Sequence, residues 1–146
     1  MQNTVGSDSA LRLATREDES AIRRVSAEWL EAEHVQNLDR LLRLVTNDVV
    51  FLRPNAPALE GRQAVEDLYR TVWASFRIRH SIRFREIRVL GDWAWTWSDE
   101  EVHLTPNAEG ASFRLKGNGM SIVRRTADGS WKFARAMSNI LPGRDR

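Results

Sequence analysis

Two hydrophobic periods divide this chain near residue 76. Before that point apolar residues recur at three- and four-residue intervals, and beyond it they alternate, so helices are expected first and strands afterwards. Ile22, Val25, Trp29 and Ala32 form the apolar line of a first helix. Thr15 can open it as N-cap, with Asp18 at the reciprocal capping position and Glu17 and Glu19 in the electropositive first turn. Residues 1–14 read as an arm ahead of it. Asn37 can cap a second, short helix carrying Leu38, Leu41, Leu42 and Val45. A short buried strand from Val49 to Arg53 follows, stopped by Pro54 and Pro57. Glu60-Gly61-Arg62 then leads into a third helix with Val65, Leu68, Tyr69, Val72, Trp73 and Phe76 at helical spacing.

The alternating half reads as four strands: Ser81 to Leu90, Trp93 to Leu104, Ala111 to Arg125 and Ser130 to Asn139. The segments between them, Gly91-Asp92, Pro106 to Gly110 and Thr126 to Gly129, carry hairpin chemistry. Helices followed by a long antiparallel meander predict an α+β fold, with the helices laid on one face of a strongly bent sheet. One domain over residues 15–140 accounts for every element, with 141–146 as a tail.

Within this pattern one stretch stands out. Trp93, Trp95, Trp97, Asp99, Glu101 and His103 occupy strictly alternate positions, so a strand puts all six on one face. In simple hairpin register Trp95 and Trp97 lie beside Gly117, Gly119 and Ser121, and those beside Ala134, Ala136 and Ser138. Large side chains facing small ones leave a concavity, so this face is expected to line a pocket together with Trp29, Leu68 and Trp73 from the helices. The opposite face would carry Met120, Ile122, Trp131, Phe133 and Met137, too apolar for water, which predicts a homodimer through that face.

Composition narrows the function classes. With 146 residues, 42% of them hydrophobic, the chain can bury a core without staples, and the absence of cysteine removes disulfides and thiolate chemistry and fits a reducing, cytoplasmic setting. The three histidines, His34, His80 and His103, have no metal-ligand spacing, so neither a metal nor a cofactor is expected. A formal charge of +2 with interspersed signs argues against nucleic acid, and no apolar run suits a signal peptide or membrane span.

The Trp29 helix, Asn37-Leu38-Asp39, Phe51-Leu52-Arg53-Pro54, Glu60-Gly61-Arg62 and the turn Arg124 to Trp131 follow one another in an order similar to the nuclear-transport-factor-2-like superfamily. The chain resembles in particular its SnoaL-like and ketosteroid-isomerase-like small proteins. That resemblance implies a cone of curved antiparallel sheet with three N-terminal helices over its concave face and a ligand inside. Carried over by motif, the isomerase base falls on Arg53, its tyrosine on Trp29, and its acid at or near Ser121, and none of the three residue types is kept. A guanidinium cannot abstract a proton at neutral pH, so ketosteroid isomerisation by that machinery is excluded.

Arg53 is left with two readings: it binds an anionic or carbonyl oxygen at the cone mouth, or it pairs with Asp99, Glu101 or Glu60. Asp99, set among the indoles, would have its pKa raised by desolvation and could act as base or acid, with His103 as relay or as a solvated strand end. The leading expectation is binding of a small, largely apolar molecule, aromatic or polycyclic molecules included, by Trp29, Leu68, Trp73, Trp95, Trp97, Gly119, Ser121 and Ser138. Alternatives are a SnoaL-like isomerase or cyclase, or an epoxide-hydrolase-type enzyme, using Asp99 and Arg53, and a non-enzymatic dimer with a filled cone.

Overall fold

The computed structural model describes the backbone over residues 5–142 and side chains over residues 16–142. Three helices, α1 (Val5–His34), α2 (Leu38–Leu42) and α3 (Arg62–Ser75), pack against a sheet of seven strands. These are β1 (Val45–Leu52), β2 (Leu59–Glu60), β3 (Phe76–Leu90), β4 (Trp93–Pro106), β5 (Phe113–Arg125), β6 (Trp131–Ser138) and β7 (Leu141–Pro142). The sheet order is β2-β1-β6-β5-β4-β3, open at both ends, with β7 added alongside β5. All pairings are antiparallel except β1 with β6, because the chain returns to β1 only after crossing the whole meander. Among the described residues no helix is long and apolar enough to cross a membrane.

The helical half follows its apolar spacing. Ile22, Trp29 and Ala32 of α1 and Val65 and Tyr69 of α3 are buried against Val45, Val49, Val123, Trp131 and Phe133 of the sheet. Asn37 caps α2 as expected, its side chain accepting the Arg40 amide. Gly61 (φ +88°) turns the chain from β2 into α3 in a conformation that a side chain would strain.

Boundaries moved where local cues competed. α1 begins at Val5, well ahead of Thr15, because Ala10-Leu11-Arg12-Leu13-Ala14 is a run of strong helix formers that needs no cap at Thr15. Asp18 is drawn instead into a two-pronged pair with Arg125 at 2.9 and 3.2 Å. Val45 and Phe76, read as helix ends, start β1 and β3, where β-branched and aromatic side chains pair along the sheet.

Two irregularities set which side chains enter the cone. Leu104 pairs with Phe113, so the β4–β5 connection spans residues 105–112 and the register differs by one from the simple hairpin. Trp97 lies opposite Met120 and Trp95 opposite Ile122, while Ser98 meets Gly119 and Thr96 meets Ser121. One residue of slip exchanges the two faces of a strand. The Trp95 and Trp97 face is therefore the outer one, and the interior receives Ala94, Thr96, Ser98, Glu100, Val102 and Leu104.

A bulge at Ala134, between the pairs Val123–Phe133 and Ile122–Arg135, inverts the alternation within β6. Trp131 and Phe133 consequently turn inward, 3% and 8% exposed, leaving Met120, Ile122 and Met137 outward. The expected outer patch thus loses two of its five members to the core. Another bulge, at Arg85, keeps Ile78, His80, Ile82 and Phe84 on the same inner face as Ile87 and Val89.

Candidate functional site

Between α1, α3 and the inner face of the sheet lies a cavity of about 270 Å³ with largely aliphatic and aromatic walls. Its aromatic side is built around Trp29, whose ring meets Phe51, Tyr69 and Phe133 edge-on at centroid distances of 5.7, 5.8 and 5.6 Å. Glu33 stands one helical turn beyond Trp29 on α1, so the same face that buries the indole carries a carboxylate into the interior. His80 arrives from β3 between Ile78 and Ile82, and Glu100 from β4 on the inward parity.

These three form a continuous buried chain. His80 bridges the carboxylates, with Nδ1 2.8 Å from Glu33 Oε1 and Nε2 3.1 Å from Glu100 Oε2. Tyr69 donates its hydroxyl to Glu33 Oε2 at 2.8 Å, and Ser98 donates to Glu100 Oε1 at 2.9 Å. The side chains of Glu33, His80 and Glu100 are 5%, 12% and 13% exposed, so Glu33 is the most deeply buried of the three, and all three line the cavity. Burial alone would push the imidazole pKa down, but the hydrogen bonds and charges of Glu100 and Glu33 outweigh it and raise His80 to about 10. His80 is an imidazolium at neutral pH and donates to both neighbours. Burial, then the adjacent Glu33 charge, hold Tyr69 well above its ordinary value, so it stays a neutral donor.

Gly119 explains why Glu100 can occupy this position. A Cβ added there would lie 1.9 Å from Glu100 Oε1 and 3.1 Å from the Ser98 hydroxyl. Only a glycine lets the carboxylate settle against β5. Among the described residues no group of three or more His, Asp or Glu is arranged to hold a metal.

The residues expected from the sequence divide between the two sides of the sheet. Trp29, Leu68, Ser121, Ser138 and Arg53 line the cavity. Trp73 stands behind Tyr69, ring centroids 5.1 Å apart, and does not reach the cavity wall. Trp95 and Trp97 lie with Met120 and Met137 along a groove on the outer face, which the Gly119 backbone also borders.

Asp99 is likewise on the outside, 2.6 Å from Arg83 and 3.6 Å from Arg85. The Arg83 hydrogen bond, with the Arg85 charge and Asn118, holds its carboxyl below the usual range, so Asp99 is a fixed anion and not the raised acid that seclusion among indoles predicted. His103 shares a hydrogen bond with Glu101 at 2.8 Å, and Arg114 also donates to that carboxylate, so no Asp99–His103 relay forms.

Glu33, Tyr69, His80 and Glu100 were not singled out by sequence reasoning, although a signal existed for two of them. His80 interrupts an isoleucine-phenylalanine alternation at an inward position, and Glu33 extends the Trp29 line by one turn. Glu100 had no such mark, because the indoles beside it suggested the opposite parity.

A family model described as the SnoaL-like domain matches residues 26–134, and the chain belongs to that family. Its fold is the nuclear-transport-factor-2-like, ketosteroid-isomerase-like cone. A conserved protein from Planctomyces limnophilus is 34% identical, with 88% of this chain and 99% of that one aligned at a TM-score of 0.84. A ketosteroid isomerase-like protein from Erwinia carotovora atroseptica is similar at 23% identity, 84% and 95% coverage and a TM-score of 0.74. A hexachlorocyclohexane dehydrochlorinase shares the fold at 19% identity, 92% and 93% coverage and a TM-score of 0.73. None of the curated proteins matches the chain. Members of this fold bind small molecules or act as isomerases and dehydratases.

Proposed function

We propose that this protein binds a small, largely apolar molecule inside the cone and moves a proton to or from one of its carbon atoms. The observation that carries the reading is the Glu33–His80–Glu100 chain, held by Tyr69 and Ser98 in a largely apolar cavity. An acid and a base 3.1 Å apart at the end of such a cavity suit general acid–base work. Glu100, a carboxylate, takes a proton from carbon next to an electron-withdrawing group. His80, the imidazolium, gives its Nε2 proton to the oxygen or other leaving group that accumulates charge.

The proton gained by Glu100 then returns to Nε2 across their hydrogen bond, so the pair is restored without a cofactor. With a hydroxyl as leaving group the substrate loses water; in an isomerisation Glu100 instead delivers its proton to a second carbon and the enol oxygen gives its proton back to Nε2, which restores the pair as well. Glu33, fixed by Tyr69, is a positioning residue that holds the ring and its charge. Proton removal from carbon also underlies the reaction for which the dehydrochlorinase is named, which supports the class and leaves the substrate open.

A panel of small aryl ketones and β-hydroxy ketones incubated in deuterated water tests this without the natural substrate. Wild type should exchange carbon-bound hydrogen in at least one member, read by mass spectrometry, and Glu100→Gln and His80→Gln should abolish it. No exchange above buffer, or exchange that survives both substitutions, would sink the proposal.

We further propose that the outer sheet face joins two copies of the chain. Trp97, Met120, Ile122 and Met137 are 39%, 43%, 40% and 50% exposed there and form a contiguous apolar surface. Light scattering should give a dimer at micromolar concentration, and a folded monomer would refute it. The absence of cysteine supports a reducing, cytoplasmic setting.

A further inference from the structure

Among the described residues the wall of the cavity holds one cation besides His80, and that cation has no counterion. Arg53 lines the cavity with its Nε buried, and among the described residues no hydrogen bond or ion pair engages its guanidinium. Of the acids expected to pair with it, Asp99 is held by Arg83 and Arg85, Glu101 by His103, Arg114 and Lys116 on the outer face, and Glu60, opposite Val50, forms no ion pair with it. A partly buried guanidinium with an orphan donor is costly to keep unless something brings it an acceptor.

Its place in the sheet says where that acceptor would sit. β1 runs parallel to β6 with Phe51 beside Ala136 and Leu52 beside Met137, so the next step sets Arg53 level with Ser138. Phe51 packs on Trp29, inside, while Leu52 and Met137 are 44% and 50% exposed. Arg53 therefore shares the inward parity of Phe51 just past the end of β1, where Leu52 and Met137 are exposed, and Ser138 lines the same cavity. The acid–base chain lies deeper, with a formal charge of −1 from two carboxylates and one imidazolium. An anionic group is repelled from that floor and attracted to the mouth.

We infer that the ligand carries a carboxylate, received at the cavity mouth by the Arg53 fork and the Ser138 hydroxyl, with its apolar body extending inward to His80 and Glu100. This inference rests on the proposed use of the cavity and specifies its substrate class, a small apolar carboxylic acid. A single free guanidinium with one hydroxyl matches a monoanionic, planar acceptor, whereas a phosphate dianion would lack a second cation. The carboxylate is an anchor and takes no part in the proton transfer.

The matched probes 2-naphthoate and 2-naphthamide, nearly equal in shape and different in charge, separate the outcomes at pH 7.5 by calorimetric titration. Wild type should bind the acid about tenfold or more tightly than the amide. Arg53→Gln should erase that preference while keeping amide affinity, which also reports that the cavity is intact, and Arg53→Lys should retain part of it. Equal binding of acid and amide by wild type, or a preference that survives Arg53→Gln, overturns the inference and leaves the cavity reading standing. Binding of neither probe overturns both.

Discussion

The two faces of β4 are built from neighbouring residues and have opposite character. Outward, Trp93, Trp95 and Trp97 lead to Asp99 and Glu101, whose carboxyls are held low by arginines and by His103 in contact with solvent. Inward, Ala94, Thr96 and Ser98 lead to Glu100, which meets a buried imidazolium and a serine hydroxyl. Each face holds a carboxylate next to a cation. The difference is the dielectric around them: on the outer face water screens the pair and makes it ordinary, and inside the cone the same elements keep a proton on His80 up to about pH 10. The proposed chemistry sits on the face with the small side chains, because small neighbours leave room for a substrate beside the acid.

Activity offers the widest separation between the faces. Glu100→Gln should lower hydrogen–deuterium exchange of a responsive ketone by roughly 10²- to 10⁴-fold, the range of a lost general base, while Asp99→Asn leaves it within about twofold. Equal losses would place the outer face in the mechanism and break the comparison.

A second contrast uses adjacent residues of β5. Gly119→Ala drives a methyl into Glu100, so it should cost about 1–3 kcal/mol in a denaturant melt and cut exchange nearly as far as Glu100→Gln. Met120→Ala, pointing outward, should leave exchange unchanged in the same assay. If Gly119→Ala is silent in both measurements, Glu100 does not rest where its carboxylate is described.

Acidity gives a third, smaller effect. The folded-state pKa of His80, about 10, lies above its ordinary 6.5, so its contribution to stability is complete below pH 6.5 and is lost as pH rises through 10. The melting temperature should fall by on the order of 5–10 °C between pH 7 and pH 10. His80→Asn should flatten that slope. A nitrogen-15 spectrum at pH 8 should show both ring nitrogens protonated, and a neutral ring there would contradict the assignment.

The smallest expected effect is on the outer face itself. Asp99→Asn removes an exposed partner of Arg83 and Arg85, and its melting midpoint at pH 7 should match wild type. A clear drop would show that the outer pairs are as structural as the inner ones.

Sequence periodicity alone determined the order of helices and strands, the α2 cap at Asn37, the turn chemistry and the family resemblance. Those features depend on local spacing and on residues that act within a few positions of themselves. Helix periodicity also indicated Trp29 and Leu68, and the family resemblance indicated Arg53; Ser121 and Ser138 line the cavity too, but on the face opposite Trp95 and Trp97, beside which the simple register had put them. Tertiary structure decided which side of β4 faces inward, because alternation is symmetric until a partner strand fixes the register, and the 105–112 connection shifted that register by one. It likewise decided that the bulge at Ala134 sends Trp131 and Phe133 into the core. The union of Glu33, Tyr69, His80 and Glu100 was decided there too, since the four come from α1, α3, β3 and β4 and meet only when the sheet bends around them.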